Sequence, residues 1–256
     1  MHTRYMHEVV DLNRPTVLLV DDDMVSREVV ATLLTMSGYN VHSAVDGAAS
    51  LKMLDSASRP QAACVPGVIL MDAQMPGLSG SELIARYRAC CKARVYVMSG
   101  SQPPTEVAAA ADGVLLKPFA IGNFRKLIEG LNPAPAPVAA LLKPDEPAIN
   151  AEILSQFRKM MPEAKVREIY TTVVADLGRR IELLGAAIAR RDAGQVRRIG
   201  HAIKGGCGMA GAVRAARIGE LFESEDNHLD NSAALLRDLR AAARELQRML
   251  DAELPA

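Results

Sequence analysis

The 256 residues carry thirty basic and thirty acidic side chains, and 49% of them are hydrophobic. The balanced charge excludes a whole-chain attraction to nucleic acid or an anionic membrane, and no run of about 18 apolar residues exists to span a bilayer. Four cysteines (Cys64, Cys90, Cys91 and Cys207) show neither metal spacing nor a disulfide framework, and the N-terminus lacks the apolar core of a signal peptide; together these predict a cytoplasmic protein with no membrane insertion.

Short β-branched runs alternate with helical patterns over the first half. The predicted strands are Thr16–Val20, Asn40–Ala44, Gly67–Asp72, Arg94–Ser99 and Gly113–Leu116. Between them, Val29, Val30, Leu33 and Leu34 mark a helix that Gly38 ends. Leu51 and Leu54 mark a second, and Leu83, Ile84 and Tyr87 a third. A short helix near Thr105–Ala111 and a last one near Ile121–Leu131 complete the set. Alternating strand–helix units predict a doubly wound α/β domain over residues 15–131, behind an N-terminal extension, 1–14: a five-stranded parallel sheet with helices on both faces. The first and third strands are nearly all apolar, as central strands covered on both faces should be.

Residues 132–147 read NPAPAPVAALLKPDEP, with five prolines in sixteen residues. That composition favours extended polyproline and predicts a semi-rigid linker reaching up to roughly 50 Å. Beyond it, over 148–254, the periodicity is only helical. Ile153, Leu154, Phe157 and Met160 form a lead-in, and Val166 to Ile188 keep helical spacing for about six turns. Three further patterns follow: Val196 to Ala210, Ile218 to Phe222, and Leu235 to Leu250. Long amphipathic helices with short connections predict an all-α up-down bundle.

Parallel α/β sheets bind ligands beyond the carboxyl ends of their strands. There the first strand is followed by Asp21, Asp22 and Asp23, the third ends in Asp72, the fourth in Ser99, and the fifth is followed by Lys117–Pro118. Converging carboxylates repel, and a hard divalent cation such as Mg²⁺ would resolve the repulsion. A carboxylate beside such a cation, a hydroxyl and an ammonium can host a phosphoryl group: Asp72 as nucleophile, Lys117 neutralising charge, Ser99 donating to a phosphoryl oxygen. Taken singly, a run of Asp before a helix is more often a cap, and a Lys–Pro more often a loop. Their joint placement on four strand ends is what carries the reading.

These segments, Val20-Asp21-Asp22, Met71 to Gly77, Met98-Ser99-Gly100 and Lys117-Pro118-Phe119, resemble the response-regulator receiver domain, in order, over roughly Pro15–Leu131. The resemblance implies a flavodoxin-like fold with Asp72 as phosphoacceptor, and Asp21 and Asp22, with Asp72, holding Mg²⁺. It further implies Ser99 as switch hydroxyl, Lys117 as phosphoryl-binding ammonium and a cis Lys117–Pro118 bond. The chain departs from the family in a longer stretch before the third strand, an abbreviated fourth helix, and Val114 where the family places a rotating aromatic.

In the bundle, take Gly200–Gly208 as helix with His201 at 0°. Lys204 then lies near −60°, Gly205 near +40° and Gly208 near −20°, while Ile199, Ile203 and Ala210 lie on the opposite side. An exposed imidazole beside one ammonium, on a surface thinned by glycine, suits phosphotransfer: neutral imidazole is a nucleophile near neutral pH, and glycine lets a partner backbone approach. The competing readings are an ordinary surface histidine with a glycine helix end, and, formally, a dinucleotide fingerprint in Gly206-x-Gly208-x-x-Gly211, which would need a preceding strand.

His201-Ala202-Ile203-Lys204-Gly205 also resembles the signature of histidine phosphotransfer (HPt) domains, small bundles with the active histidine mid-helix, over roughly Ala148–Leu254. Both resemblances together imply a phosphorelay intermediate in two-component signalling, with phosphoryl on Asp72 and His201. They imply a sensor histidine kinase and other receiver domains as partners. No kinase ATP-binding glycine boxes are found and no helix-turn-helix follows, so a phosphocarrier is expected rather than a kinase or a nucleic-acid binder. Two alternatives stay open, an interaction module controlled by Asp72 alone and a phosphate sink. So does direct Asp72–His201 exchange within one chain.

Overall fold

The computed structural model describes residues 14–57, 65–130, 147–224 and 232–254. The expected extension lies outside the described residues except for Arg14, and the expected linker except for Pro147. Five strands, β1 (Val17–Val20), β2 (Val41–Ala44), β3 (Val68–Asp72), β4 (Arg94–Ser99) and β5 (Gly113–Leu116), alternate with helices α1 (Met24–Met36), α2 (Gly47–Ala57), α3 (Gly80–Cys90), α4 (Thr105–Ala110) and α5 (Ile121–Ile128). All neighbouring strands are parallel, in the order β2-β1-β3-β4-β5. Every residue of β1 and β3 is buried, whereas β2 and β5, the edges, are half-exposed. That contrast is why the first two read as continuous apolar runs.

The remaining helices are α6 (Ala151–Met160), α7 (Glu163–Ala189), α8 (Ala193–Met209), α9 (Val213–Glu223) and α10 (Ser232–Glu253). Asn150 and Asp192 cap α6 and α8 by accepting backbone N–H groups. Helices α7 to α10 pack on one another as the apolar periodicity requires. Gly206 and Gly208 lie inside α8 and Gly211 follows it at φ +73°, so no strand precedes the glycine pattern.

The sheet separates two cores. One face, with α2, α3 and α4, closes around Leu54, Leu83, Ile84 and Tyr87. On the other face α1 covers the sheet with one side and meets α7 and α8 with another, so a single apolar cluster runs from Leu19 and Val29 through Val25 to Ile203 and Cys207.

Candidate functional site

Strands β1 and β3 pair with Val20 beside Met71, so Asp21 and Asp72 leave the sheet side by side. The strand order reverses here, which is where a doubly wound sheet opens its crevice. Asp21, Asp22 and Asp72 each place a carboxylate oxygen within 4.8 Å of the others. Asp21 is fully buried. Its Oδ2 accepts from Ser26 Oγ at 2.7 Å and from Lys117 Nζ at 2.8 Å, and its Oδ1 accepts from Asp23 N at 2.9 Å. Lys117 Nζ also donates to Ser26 Oγ at 2.9 Å and pairs with Asp72 at 3.3 Å. The Lys117–Pro118 bond is cis. Ser99 is buried one residue beyond the level of Asp72 on the adjoining strand, and its Oγ accepts from Ser101 N at 3.4 Å.

The charges do not balance with protein groups alone. Burial, reinforced by Asp21 and Asp72, pushes the Asp22 carboxyl up to about 6. Burial also raises the Asp72 carboxyl, against the opposing pull of Lys117. Burial disfavours the Lys117 ammonium, but Asp21 and Asp72 outweigh it and hold the proton on well above the ordinary lysine range. A cluster of oxygen donors with excess negative charge fits a hard divalent cation.

His201 lies in the middle of α8. Its Nδ1 is 2.8 Å from Glu223 Oε1 at the end of α9. A carboxylate only accepts, so in the neutral ring the proton sits on Nδ1 and the Nε2 lone pair is free to attack. Burial disfavours the imidazolium, but the Glu223 hydrogen bond and charge outweigh it and raise His201 above its ordinary value, with a smaller push from Asp72. Glu223 is correspondingly lowered, burial being outweighed by His201 and Lys204. Lys204 Nζ lies 3.1 Å from Glu223 and 3.5 Å from Glu220. Two glycines make this pairing possible. A Cβ on Gly200 would stand 2.8 Å from Gly219 O, and one on Gly219 would stand 2.6 Å from Lys204 N. Their absence lets α9 close on α8 and bring Glu223 to the imidazole.

The two carboxyl-end and mid-helix sites meet. Asp72 and His201 feel each other's charge, the imidazolium lowering Asp72 and the carboxylate raising His201. The stem of Lys204 lies against Gly100, next to Ser99: a Cβ there would be 3.7 Å from Lys204 Cε. A Cβ on Gly208 would be 4.0 Å from Pro118 Cδ, next to Lys117. The tightest approach is at Gly206, where a Cβ would stand 2.9 Å from Asp23 Oδ1 and 3.1 Å from Val25 Cβ. Two ion pairs cross the same face, Arg180 of α7 with Asp23 and Lys165 of α7 with Glu28 of α1, the latter at 3.2 Å.

All seven side chains singled out from sequence (Asp21, Asp22, Asp72, Ser99, Lys117, His201 and Lys204) therefore gather around one interface. Two expectations change. The His201 side chain is only 21% exposed, because Glu223 covers one edge of the ring. The glycine that admits the other domain is Gly206, whereas a would-be Cβ at Gly205 meets nothing within 4 Å beyond its own helix backbone among the described residues. The contact at Gly206 is made by α1, which packs against both α7 and α8. Ser26, Glu223 and Arg180 were not anticipated. Ser26 and Arg180 stand on periodic helices without a motif, and Glu223 becomes readable only once α8 and α9 are known to touch.

Residues 17–129 match the response regulator receiver domain family and residues 168–253 match the Hpt domain family. The chain is 26% identical over 215 residues to the sensor histidine kinase AruS of Pseudomonas aeruginosa, covering 80% of this chain but 20% of that protein. It is 30% identical over 159 residues to the response regulator MprA of Mycobacterium avium, covering 60% of this chain and 62% of that one. It thus spans less than two thirds of either relative's length. Among solved structures, the response regulator TrrA of Thermotoga maritima, in complex with Mg²⁺ and BeF, is 24% identical with a TM-score of 0.40, over 46% of this chain and 98% of that one. The chemotaxis response regulator CheY4 of Vibrio cholerae is 25% identical with a TM-score of 0.37, over 45% and 97%.

Proposed function

We propose that this chain, which belongs to the two-component phosphorelay proteins through its receiver and Hpt domains, passes a phosphoryl group directly between Asp72 and His201. The observation that carries the reading is geometric: the helix that bears His201 packs on the face where Asp72 emerges, with Lys204 against Gly100, Gly206 against Asp23 and Val25, and Arg180 paired with Asp23. On this reading residues 15–131 act as the receiver and 148–254 as the phosphotransfer domain.

The lone pair of His201 Nε2 attacks the phosphorus of the Asp72 acyl phosphate. An N–P bond forms, the P–O bond to the Asp72 carboxyl oxygen breaks, and Asp72 leaves as a carboxylate. The proton on Nδ1 stays shared with Glu223, whose charge stabilises the positive ring as it forms. Lys117 and Lys204 approach the transferring group from the two sides. Ser99 donates to a phosphoryl oxygen. Asp21, Asp22 and Asp72 would hold Mg²⁺, which when bound neutralises phosphoryl charge. Ser26 fixes Asp21 and Lys117 relative to each other. The reverse reaction uses the same contacts. A sensor histidine kinase would supply phosphoryl to one site, and a second receiver would draw it from His201 after the domains part.

Loading the full chain with a small acyl phosphate tests this. The unmodified chain should acquire acid-labile, base-stable phosphate on His201 at a rate independent of protein concentration. Asp72→Ala should acquire none, and His201→Ala should keep only base-labile phosphate. A rate proportional to concentration would mean transfer between chains. Base-labile phosphate alone would favour the interaction-module alternative.

A further inference from the structure

We infer that Arg180, held between Asp176 and Asp23, selects which receivers this helical bundle exchanges phosphoryl with: it accepts those carrying an acidic residue immediately after the paired metal-site carboxylates. The inference rests on the proposal that the bundle exchanges phosphoryl with the face around Asp72.

Arg180 lies midway along α7, and its side chain is 9% exposed. It donates Nε to Asp176 one turn earlier and one terminal nitrogen to Asp23 across the interface. Both acids are as covered, at 5% and 10% side-chain exposure. A guanidinium in this setting needs both. Burial works against its charge, yet Asp23 and Asp176 together raise its proton affinity above normal. Asp176 belongs to the same helix and accompanies Arg180 in every state, also accepting from Arg179 at 2.5 Å. Asp23 is supplied only by the docked domain.

Asp23 cannot turn away to solvent. Its Oδ1 caps α1 by accepting from Ser26 N at 2.7 Å, which leaves Oδ2 aimed at Arg180. The cap, the metal-site backbone and the docking contact are therefore one residue. The second crossing pair, Lys165–Glu28, has side chains 31% and 45% exposed, so water screens it and it discriminates little. Selectivity falls on the buried pair. An asparagine at position 23 would keep the cap through its oxygen but turn amide N–H groups toward the guanidinium, which can only donate, and so lose the pairing. A lysine would bury two cations against each other.

The test uses two full-length chains: a donor carrying His201→Ala, loaded on Asp72 with a small acyl phosphate, and an acceptor carrying Asp72→Ala. Rates are expressed per loaded Asp72, so any change in loading is removed. Asp23→Asn in the donor, or Arg180→Gln in the acceptor, should slow transfer by about thirty-fold or more. Asp23→Lys should slow it further, and Arg180→Lys should recover part of the rate. The combination of Asp23→Asn with Arg180→Gln should be no slower than either alone, because both remove one interaction. Losses that multiply in the combination would show independent effects and overturn the inference while leaving the transfer itself standing. If donor and acceptor with native residues 23 and 180 exchange nothing, the inference falls, while the in-chain transfer it rests on stands or fails separately on concentration-independent labelling of His201 in the unmodified chain.

Discussion

Gly206→Ala separates helix stability from domain docking, because the two should move in opposite directions. The new methyl would stand 2.9 Å from Asp23 Oδ1, 3.1 Å from Val25 Cβ and 3.3 Å from Val25 Cγ1. Carbon contacts settle at about 3.5–4.0 Å, so the two faces must part by on the order of half an ångström. Neither neighbour gives easily. Asp23 is held by Ser26 N and Arg180, and Val25 is a buried β-branched residue with little χ1 freedom. Displacing reacting groups by about 1 Å costs roughly a hundred-fold in rate, so half of that predicts a loss on the order of ten-fold in Asp72-to-His201 transfer. Intrinsic helix propensity meanwhile favours alanine by about 1 kcal/mol inside α8. Gly205→Ala carries the same propensity gain with no described atom outside the neighbouring helix backbone within 4 Å. It should stabilise the bundle by about 1 kcal/mol and leave transfer unchanged. The assay pairs single-turnover transfer, read from acid- and base-labile phosphate, with chemical denaturation. Native-rate transfer by Gly206→Ala, or equal slowing by Gly205→Ala, would refute the docking geometry.

Three further outcomes follow from the site. Glu223→Gln removes the charge that raises His201, so the rise of transfer rate with pH should move to lower pH, checked by a pH–rate profile and an imidazole titration. The sign for stability is the same: a raised histidine contributes fully below its unfolded value of about 6.5 and loses that contribution as pH climbs through the folded value, so in Glu223→Gln the stability gap should close above that window. Asp22→Asn relieves repulsion among the carboxylates and should raise the melting temperature in metal-free buffer while weakening Mg²⁺ binding, measured by calorimetry. Ser26→Ala deletes a buried hydroxyl that joins Asp21 to Lys117 and should cost about 1–3 kcal/mol in denaturant unfolding.

What was legible in the sequence was what local chemistry dictates. β1 and β3 announced themselves because strands buried on both faces exclude polar residues, and their ends then named Asp21, Asp22 and Asp72. Ser99 and Lys117 followed from the same placement. Glu223, Ser26 and Arg180 act through partners 22, 91 and 157 positions away, and no period within one helix encodes such a distance. The glycines of α8 were legible as a group, but their separate tasks were not. Gly200 closes α8 on α9, Gly206 admits α1, and Gly205 faces open space among the described residues. Each task is set by a surface elsewhere in the chain.

The interface also ties docking to the metal-site carboxylates, and the tie has a sign. Asp23 N donates to Asp21 Oδ1, and the Asp23 carboxylate is held by Arg180, so the guanidinium sits one residue from the acids proposed to hold Mg²⁺. Docking brings Arg180 and Lys204 toward that cluster. Added positive charge opposes a cation there and favours a phosphoryl group. Coupling between two binding events is reciprocal, so Mg²⁺ without phosphoryl should loosen docking by the factor by which docking weakens Mg²⁺ binding. Arg180→Gln in the full chain should therefore raise Mg²⁺ affinity, by roughly five-fold for a coupling of about 1 kcal/mol. Calorimetric titration of the two chains without phosphodonor decides it. Unchanged or weaker Mg²⁺ binding in Arg180→Gln would mean that the Asp23 contact is electrostatically separate from the acceptor site, and that docking responds to the phosphoryl group through Lys204 alone.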